Sequence, residues 1–378
     1  MMNERRQQFP DGVQKNDSEA ISRLETYGIG DYDFALTVES EINKDASGNE
    51  VDLARDADIT WIKFNKPDDG DFSDLESVEG KLYIPKNNGN GELIFFTPGF
   101  PGGNAGRFEK QYAKAFVDAG YSFFTIRHNG SSLTKIDSAK EVVNFDKRLE
   151  LAKQSGEDYI GGTKENGHAP AEIVNEPITP LLQLCKMFDK VHLMGQSMGV
   201  TSSYNAVTRL SGRPDITDKI GNIVGIAGYV GKEKGEPEDP WGGMKMPTKD
   251  LVEYEKEYIK QVDTNTIFTE DEVAKLVEVN KKMKVPSHIG NILIVSPGDP
   301  LIGGPDKTKE DYANKYGPET GKKLIISDES NLDKPKQHSM LWIAPKNLLR
   351  AVKAEISVHG PHYIKLPNKT EGGLVEKG

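Results

Sequence analysis

The residues best placed to do chemistry surround Ser197, within residues 190–207 (KVHLMGQSMGVTSSYNAV). The apolar run 191–194 predicts a short buried strand, and the residues after Gly199 predict a helix. Between them lies the pattern Gly-X-Ser-X-Gly, whose glycines leave room for a sharp, strained turn. Such a turn presents the Ser197 hydroxyl as a nucleophile. The alternative is a purely structural turn, because this five-residue pattern also arises by chance.

Composition narrows the possible functions. The 378 residues suffice for one large domain with an insertion or for two ordinary domains. The formal net charge of -11 argues against nucleic acid as a partner, because no dense Lys/Arg cluster offsets it. No run of about 18 apolar residues occurs, so we expect no signal peptide, no membrane span and a cytoplasmic protein. The single cysteine, Cys185, lies in an apolar helical pattern and is predicted to be a buried hydrophobic residue.

The rest of the chain predicts the elements that position the turn. Residues 1–30 are polar and lack a clear period, so we expect a flexible N-terminal arm. Strand candidates follow at 33–42, 59–64 and 78–84. From Glu92 onward, continuous apolar runs alternate with helical segments, which is typical of parallel strands buried on both faces. These runs are residues 93–96, 121–126, 191–194, 223–226, 292–295 and 324–326.

Residues 229–289 interrupt this alternation. A loop rich in Gly, Pro and Glu leads there to two amphipathic helices, predicted at 248–262 and 270–284. We expect this insertion to cover the site as a helical cap or lid; the alternative is a helical addition packed away from it. Another polar insertion, residues 154–170, is a candidate wall of the site. The apolar faces predicted to turn toward the core or a pocket are Leu251, Tyr254, Tyr258 and Val262 in one helix, and Val273, Leu276 and Val277 in the other.

Taken together, residues 78–359 resemble the α/β-hydrolase superfamily. The resemblance implies an α/β fold with a mostly parallel eight-stranded sheet flanked by helices and carrying a helical cap insertion. The core domain would comprise residues 31–228 and 290–378, and the cap residues 229–289. In this fold the nucleophile follows the fifth strand, which is the place of Ser197 if residues 78–84, 93–96, 121–126 and 191–194 are strands two to five.

A loop after the third predicted strand carries the second part of the resemblance. The sequence Thr97-Pro-Gly-Phe-Pro-Gly-Gly103 is similar to the HGFPG loop of the superfamily. By that match, Phe100 and Met198 each direct one backbone N–H at the oxygen on which negative charge develops, an oxyanion hole. Pro98 stands where a histidine is usual, which removes one side chain that anchors the loop. A plain Pro/Gly turn is the alternative.

The resemblance also implies a base and an acid. A serine hydroxyl is a poor nucleophile, and the superfamily orders its triad Ser, then Asp or Glu, then His along the chain. Asp299 follows the seventh predicted strand, where the acid is expected, with Asp306 as the second candidate. His338 follows the eighth strand and is the histidine in the position of the base. His128, His168 and His192 precede the acid and so do not fit that order.

This resemblance implies a serine hydrolase that cleaves a carboxylic ester with Ser197, Asp299 and His338 through an acyl-enzyme. Acyl transfer, thioester cleavage and peptide cleavage use the same triad, and a non-catalytic ligand receptor with this fold is a further alternative. We expect a small-molecule ester as substrate, contacted by Gln196, Tyr229 and Trp241, and no cofactor or metal. The residues do not indicate an oligomeric state.

Overall fold

The structure is a computed structural model. It describes residues 17–44, 49–68, 70–101, 105–133, 146–163, 165, 167–228, 248–284, 286, 288–295, 322–327 and 363–366. The strands in chain order are β1 (Tyr32–Thr37), β2 (Ile42–Lys44), β3 (Glu50–Asp52), β4 (Ala57–Phe64), β5 (Val78–Pro85), β6 (Glu92–Thr97), β7 (Ser122–Arg127), β8 (Lys190–Gln196), β9 (Ile220–Ile226), β10 (Gly290–Val295), β11 (Lys322–Ser327) and β12 (Tyr363–Leu366). The α-helices are α1 (Ser18–Thr26), α2 (Ala105–Asp118), α3 (Asp146–Ser155), α4 (Pro170–Ile173), α5 (Ile178–Met187), α6 (Met198–Arg209), α7 (Pro214–Thr217), α8 (Thr248–Val262) and α9 (Glu270–Lys282).

One large sheet dominates the described part of the chain. Its strand order is β1-β4-β5-β7-β6-β8-β9-β10-β11-β12, and β2 and β3 pair separately. The strands from β7 to β12 along this order are parallel, whereas β5 is antiparallel to both neighbours and β1 is antiparallel to β4. The predicted α/β fold class, with its mostly parallel sheet flanked by helices, is confirmed. The eight strands of that prediction are β4 to β11, and β1 and β12 extend the sheet at its edges.

The apolar runs form the central strands because both of their faces are covered. Every residue of β7 is buried, as is β8 from Val191 onward. The helix α2 packs against β5 and β7, and α6 packs against β6, β8 and β9. A strand covered on both sides cannot alternate apolar and polar residues, which is why these strands appear in the sequence as uninterrupted apolar runs.

The strand order creates a crevice between β6 and β8. From β6 the chain crosses over through α2 to β7 on one side, and from β8 it crosses over through α6 to β9 on the other. Because such parallel crossovers are right-handed, α2 and α6 must cover opposite faces of the sheet. The chain therefore continues from the carboxyl ends of β6 and β8 to opposite faces of the sheet, and ligands bind at such a switch point in open α/β sheets.

The N-terminal segment departs from expectation where it is described. Residues 17–30 were predicted to belong to a flexible arm, but they contain α1, in which Ala20 and Leu24 are fully buried. These two residues lie four apart, on one face of the helix, and Arg23 donates a hydrogen bond to Thr60 at 3.1 Å. For this part the arm prediction is wrong, because two apolar positions suffice to dock a short helix although they are too few to show a period.

The insertion between β9 and β10 contains the two predicted helices, α8 and α9. Leu251, Val273, Leu276 and Val277 are buried as expected, and α9 packs against α4 and α6. Tyr254 is 43% exposed and so does not face the core; that it faces a pocket stays a prediction. None of the helices in the described part of the chain combines the length and the apolar character needed to cross a membrane.

Candidate active site

Ser197 occupies the turn between β8 and α6. Its backbone has φ 51° and ψ -123°, outside the regions that residues with a side chain usually adopt. The turn is held by a hydrogen bond of 2.9 Å from the Ser197 amide to the carbonyl of Ile226, on the neighbouring strand β9. Non-glycine residues in such conformations are strained by about 1–3 kcal/mol and concentrate at functional sites. The predicted strand, sharp turn and helix around Ser197 are therefore present.

The two glycines of the Gly-X-Ser-X-Gly pattern are explained by close backbone contacts. A Cβ atom on Gly195 would lie 2.3 Å from the carbonyl oxygen of Gly199. A Cβ atom on Gly199 would lie 2.1 Å from the carbonyl oxygen of Thr97, at the end of β6. Only glycine fits at either position, because carbon atoms do not approach backbone oxygen so closely. The spacing of the two glycines in the sequence therefore reflects the close contact of α6 with the ends of β8 and β6.

The loop after β6 lies directly against this turn. The Gly99 amide donates to Oε1 of Gln196 at 3.1 Å, and a Cβ on Gly99 would lie 3.0 Å from the Ser197 Cβ. Phe100 follows Gly99 in the loop, and Met198 is the first residue of α6. The first N–H groups of a helix have no acceptor within it, and they form its positive end. The structure therefore brings Ser197, Met198 and Phe100 into one small region.

Gln196 lies beside Ser197 but is turned inward. Its side chain is buried, with 5% of the residue exposed, and its Oε1 atom receives the Gly99 amide. This contact fastens the loop after β6 to the turn after β8. The predicted contact of Gln196 with substrate stays a prediction.

A buried His–Glu pair beside this loop was not anticipated. Nε2 of His128 lies 2.9 Å from the carbonyl oxygen of Pro98, and Nδ1 is hydrogen-bonded to Oε2 of Glu176. Oε1 of Glu176 accepts from the Asn129 amide at 2.8 Å. Sequence order excluded His128 as the triad base and left it without a role. The position of His128 directly after β7 could have indicated this contact, because the loops that follow the parallel neighbours β6 and β7 leave the sheet at the same edge.

The connection between α8 and α9, residues 263–269, reaches the same region. The ring of Phe268 packs on the ring of Phe100, with centroids 5.1 Å apart, and Phe268 is 6% exposed. The Asn265 amide donates to Gly130 in the loop after β7 at 2.7 Å, and the His168 amide donates to Asn265 at 3.0 Å. The insertion, the loop after β7 and the segment that contains His168 are therefore joined beside Phe100.

The remaining predicted site residues lie outside the described residues: Asp299, Asp306, His338, Tyr229 and Trp241. The strands that precede the proposed acid and base, β10 and β11, are parallel neighbours, and β10 pairs with β9. Cys185 is buried, and burial raises the pKa of its thiol to about 12, so it is protonated at neutral pH and does not compete as a nucleophile. The described residues hold no cluster of three His, Cys, Asp or Glu side chains suited to a metal ion.

Comparisons with known proteins give only distant similarities. No family model and no curated protein matches the chain. Among solved structures, it is similar to a lipase in its open form (15% identity, 79% of this chain and 100% of that chain covered, TM-score 0.47). It is also similar to an acetyl xylan esterase from Paenibacillus sp. R4 (12% identity, 91% and 96% covered, TM-score 0.47) and to an esterase from Exiguobacterium antarcticum (12%, 72% and 96%, TM-score 0.42). Similarities with identities and TM-scores this low are not evidence of an activity. The fold is therefore assigned from the strand order, and the function is inferred from the residues of the site.

Proposed function

We propose that this protein is a serine hydrolase that cleaves a carboxylic ester through an acyl-enzyme intermediate. The observation that carries the proposal is the strained backbone of Ser197, at the switch point of the sheet and against the loop after β6. Backbone strain of this kind persists only where the surrounding structure holds it in place. A structural turn could use glycine at this position without strain, so a serine here favours a chemical role for the hydroxyl.

The proposed reaction has two stages. Oγ of Ser197 attacks the ester carbonyl while His338 takes the hydroxyl proton, and His338 then gives that proton to the departing alcohol. Asp299 holds the imidazole so that its unprotonated nitrogen faces Ser197. Water then attacks the acyl-enzyme with His338 as base, which releases the acid and restores the serine.

The N–H groups of Phe100 and Met198 would stabilise the negative charge on the carbonyl oxygen. Each such donor is worth about 3 kcal/mol in related chemistry. The proposal draws support from two features of the geometry, because one donor follows the nucleophile directly and the other follows Gly99, where an added Cβ would lie 3.0 Å from the Ser197 Cβ. The packing of Phe268 on Phe100 supports an apolar wall formed by the insertion, in its proposed role as a cap.

The test is covalent labelling followed by turnover. A fluorophosphonate probe should label the wild-type protein at Ser197, and p-nitrophenyl esters of graded acyl length should be hydrolysed. Ser197→Ala should lose labelling and lower kcat by about 10⁴-fold or more while the protein stays folded, because the change leaves no large cavity.

A matched control is Ser211→Ala, at an exposed serine just beyond the other end of α6. It should keep both labelling and turnover. Undiminished hydrolysis by folded Ser197→Ala protein would refute the proposal, and absence of labelling in the wild type would favour the non-catalytic receptor. Comparison of oxygen esters with thioesters and amides of the same acyl group would separate the other hydrolases that use this triad.

A further inference from the structure

One peptide plane in the loop after β6 is held at both ends. Its carbonyl oxygen, from Pro98, lies 2.9 Å from Nε2 of His128, and its N–H, from Gly99, donates to Oε1 of Gln196 at 3.1 Å. A peptide unit is rigid, so these two hydrogen bonds determine the direction of the whole plane. The next plane along the chain contains the Phe100 N–H. The first plane therefore fixes the position of the Gly99 Cα, from which the next plane starts.

The hydrogen bond to Pro98 requires a particular protonation of His128. A carbonyl oxygen only accepts, so Nε2 carries a proton and donates it. Nδ1 then lies against Oε2 of Glu176, and one further proton is shared between the two groups. Because the other oxygen of Glu176 accepts from the Asn129 amide, the carboxylate is held on two sides and fixes the plane of the imidazole. His128 is fully buried, and 5% of Glu176 is exposed.

We propose that His128 and Glu176 are positioning residues that hold the oxyanion loop in its working orientation. This inference rests on the proposed function. In this chain a proline, whose side chain has no hydrogen-bonding group, occupies the loop position at which the superfamily's motif has a histidine. The anchoring imidazole comes instead from the loop after β7 and reaches the backbone of that same residue. Glu176, in the turn between α4 and α5, keeps the ring from rotating.

A purely structural pair would behave differently when it is removed. It would change the free energy of unfolding and leave the chemical step alone. A positioning pair changes kcat with little effect on KM, because a loop displaced by about 1 Å loses transition-state contacts, which can lower the rate about 10²-fold. The split between kcat and KM therefore separates the two roles.

The double variant His128→Leu/Glu176→Leu is the main test. It removes both partners together, so no unpaired charge is left in the interior. The Asn129 amide and the Pro98 carbonyl each lose one hydrogen bond, which lowers the stability of the fold. With p-nitrophenyl acetate we expect kcat to fall about 30- to 100-fold and KM to change less than about threefold. Glu176→Gln should stay near the wild-type rate, because the amide can accept from Asn129 and donate to Nδ1 of a neutral imidazole. If the double variant does not fold, Glu176→Leu, which keeps the ring and removes its partner, carries the same expectation of a lower kcat.

A matched control removes another buried pair, Glu79 on β5 and Arg148 on α3, whose side chains bond to each other, to Trp61 and to Glu157 rather than to the loop after β6. Both residues are about 1% exposed and form two hydrogen bonds of 2.8 Å. The variant Glu79→Leu/Arg148→Met should leave kcat unchanged. A folded His128→Leu/Glu176→Leu protein whose kcat lies within about twofold of the wild type would overturn the inference.

Amide hydrogen exchange at Gly99 and Phe100 provides a readout independent of turnover. In the double variant, exchange at both amides should quicken at least tenfold relative to the wild type and to Glu176→Gln. If the wild-type protein neither labels with fluorophosphonate nor hydrolyses esters, the proposed function fails, and exchange alone then decides whether the pair holds the loop. Unchanged exchange in the double variant would overturn the inference whatever the activity.

Discussion

Replacing Gly99 with alanine tests the geometry of the loop after β6 most directly. The new Cβ would lie 2.4 Å from Oε1 of Gln196, 3.0 Å from the Ser197 Cβ and 3.2 Å from the carbonyl oxygen of Gln196. The first distance is about 1 Å shorter than an ordinary contact, and the other two are a few tenths of an ångström short. The Gln196 side chain, the loop or both must therefore shift, and the hydrogen bond that holds the loop to Gln196 is stretched or broken.

The size of the effect follows from this displacement. Because the Phe100 N–H belongs to the next peptide plane, a shift of about 1 Å moves it off the position of the developing negative charge. A misplacement of that size costs about 10²-fold in rate, and complete loss of one donor costs about 10²- to 10³-fold. We expect kcat/KM of Gly99→Ala to fall about 10²-fold, which corresponds to about 2.7 kcal/mol of transition-state stabilisation.

The assay is steady-state hydrolysis of p-nitrophenyl acetate, with circular dichroism to establish that the variant is folded. Gly89→Ala is the matched control, because a Cβ on Gly89 meets nothing within 4 Å. Both variants add one methyl group, and only Gly99→Ala should lose activity. A folded Gly99→Ala protein with kcat/KM within about twofold of the wild type would show that this loop does not supply an oxyanion donor.

Three further predictions address other parts of the molecule. His338→Ala should lower turnover nearly as much as Ser197→Ala. In the wild type, kcat/KM should fall on acidification as the imidazole, with an ordinary pKa of about 6.5, becomes protonated; a kcat/KM that does not change between pH 5 and 8 would contradict this. Phe268→Ala removes the ring that packs on Phe100. It should change the preference among p-nitrophenyl esters of different acyl length by about tenfold, while the smallest ester is still hydrolysed. An unchanged acyl-length preference would place the insertion away from the pocket. Burial alone would raise the pKa of the Glu79 carboxyl, but the charge and the hydrogen bonds of Arg148 outweigh burial and lower that pKa below its ordinary 4.5. The stability that the ionised carboxylate contributes is therefore present above about pH 4.5 and is lost as the pH falls through the lowered value. Urea unfolding should find Glu79→Leu about 3–5 kcal/mol less stable at pH 7, with a stability that depends less on acid pH, and a dependence equal to that of the wild type would contradict the assignment.

The strands and helices near the centre of the sheet could be predicted from the sequence because the forces that form them are expressed locally. A strand buried on both faces needs an apolar residue at every position, and β7 and β8 consist of such runs. The helices α8 and α9 appear in the sequence as amphipathic periods close to their observed bounds. The turn at Ser197 could also be predicted from the sequence. Glycine is required at positions 195 and 199 by backbone contacts within a few residues of the serine or at the end of the adjacent strand.

The elements at the edges of the fold were harder to predict from the sequence. The strand β12 lies at the edge of the sheet and was not among the strands predicted from the sequence. The helix α1 buries only Ala20 and Leu24, which are too few apolar positions to show a period in the sequence. The exposure of Tyr254 shows that an apolar position in a helical period need not face the core.

By itself, the sequence determined the fold class, the central strands and the strained turn that presents Ser197, because each depends on residue types at fixed short spacing. Only the tertiary structure decided which distant residues meet at that turn. His128 and Glu176 are 48 residues apart, and Pro98 lies 30 residues before His128, yet the three are joined by hydrogen bonds. No local pattern encodes such contacts, because they arise only when β6 and β7 pair in parallel and direct their following loops to the same edge of the sheet.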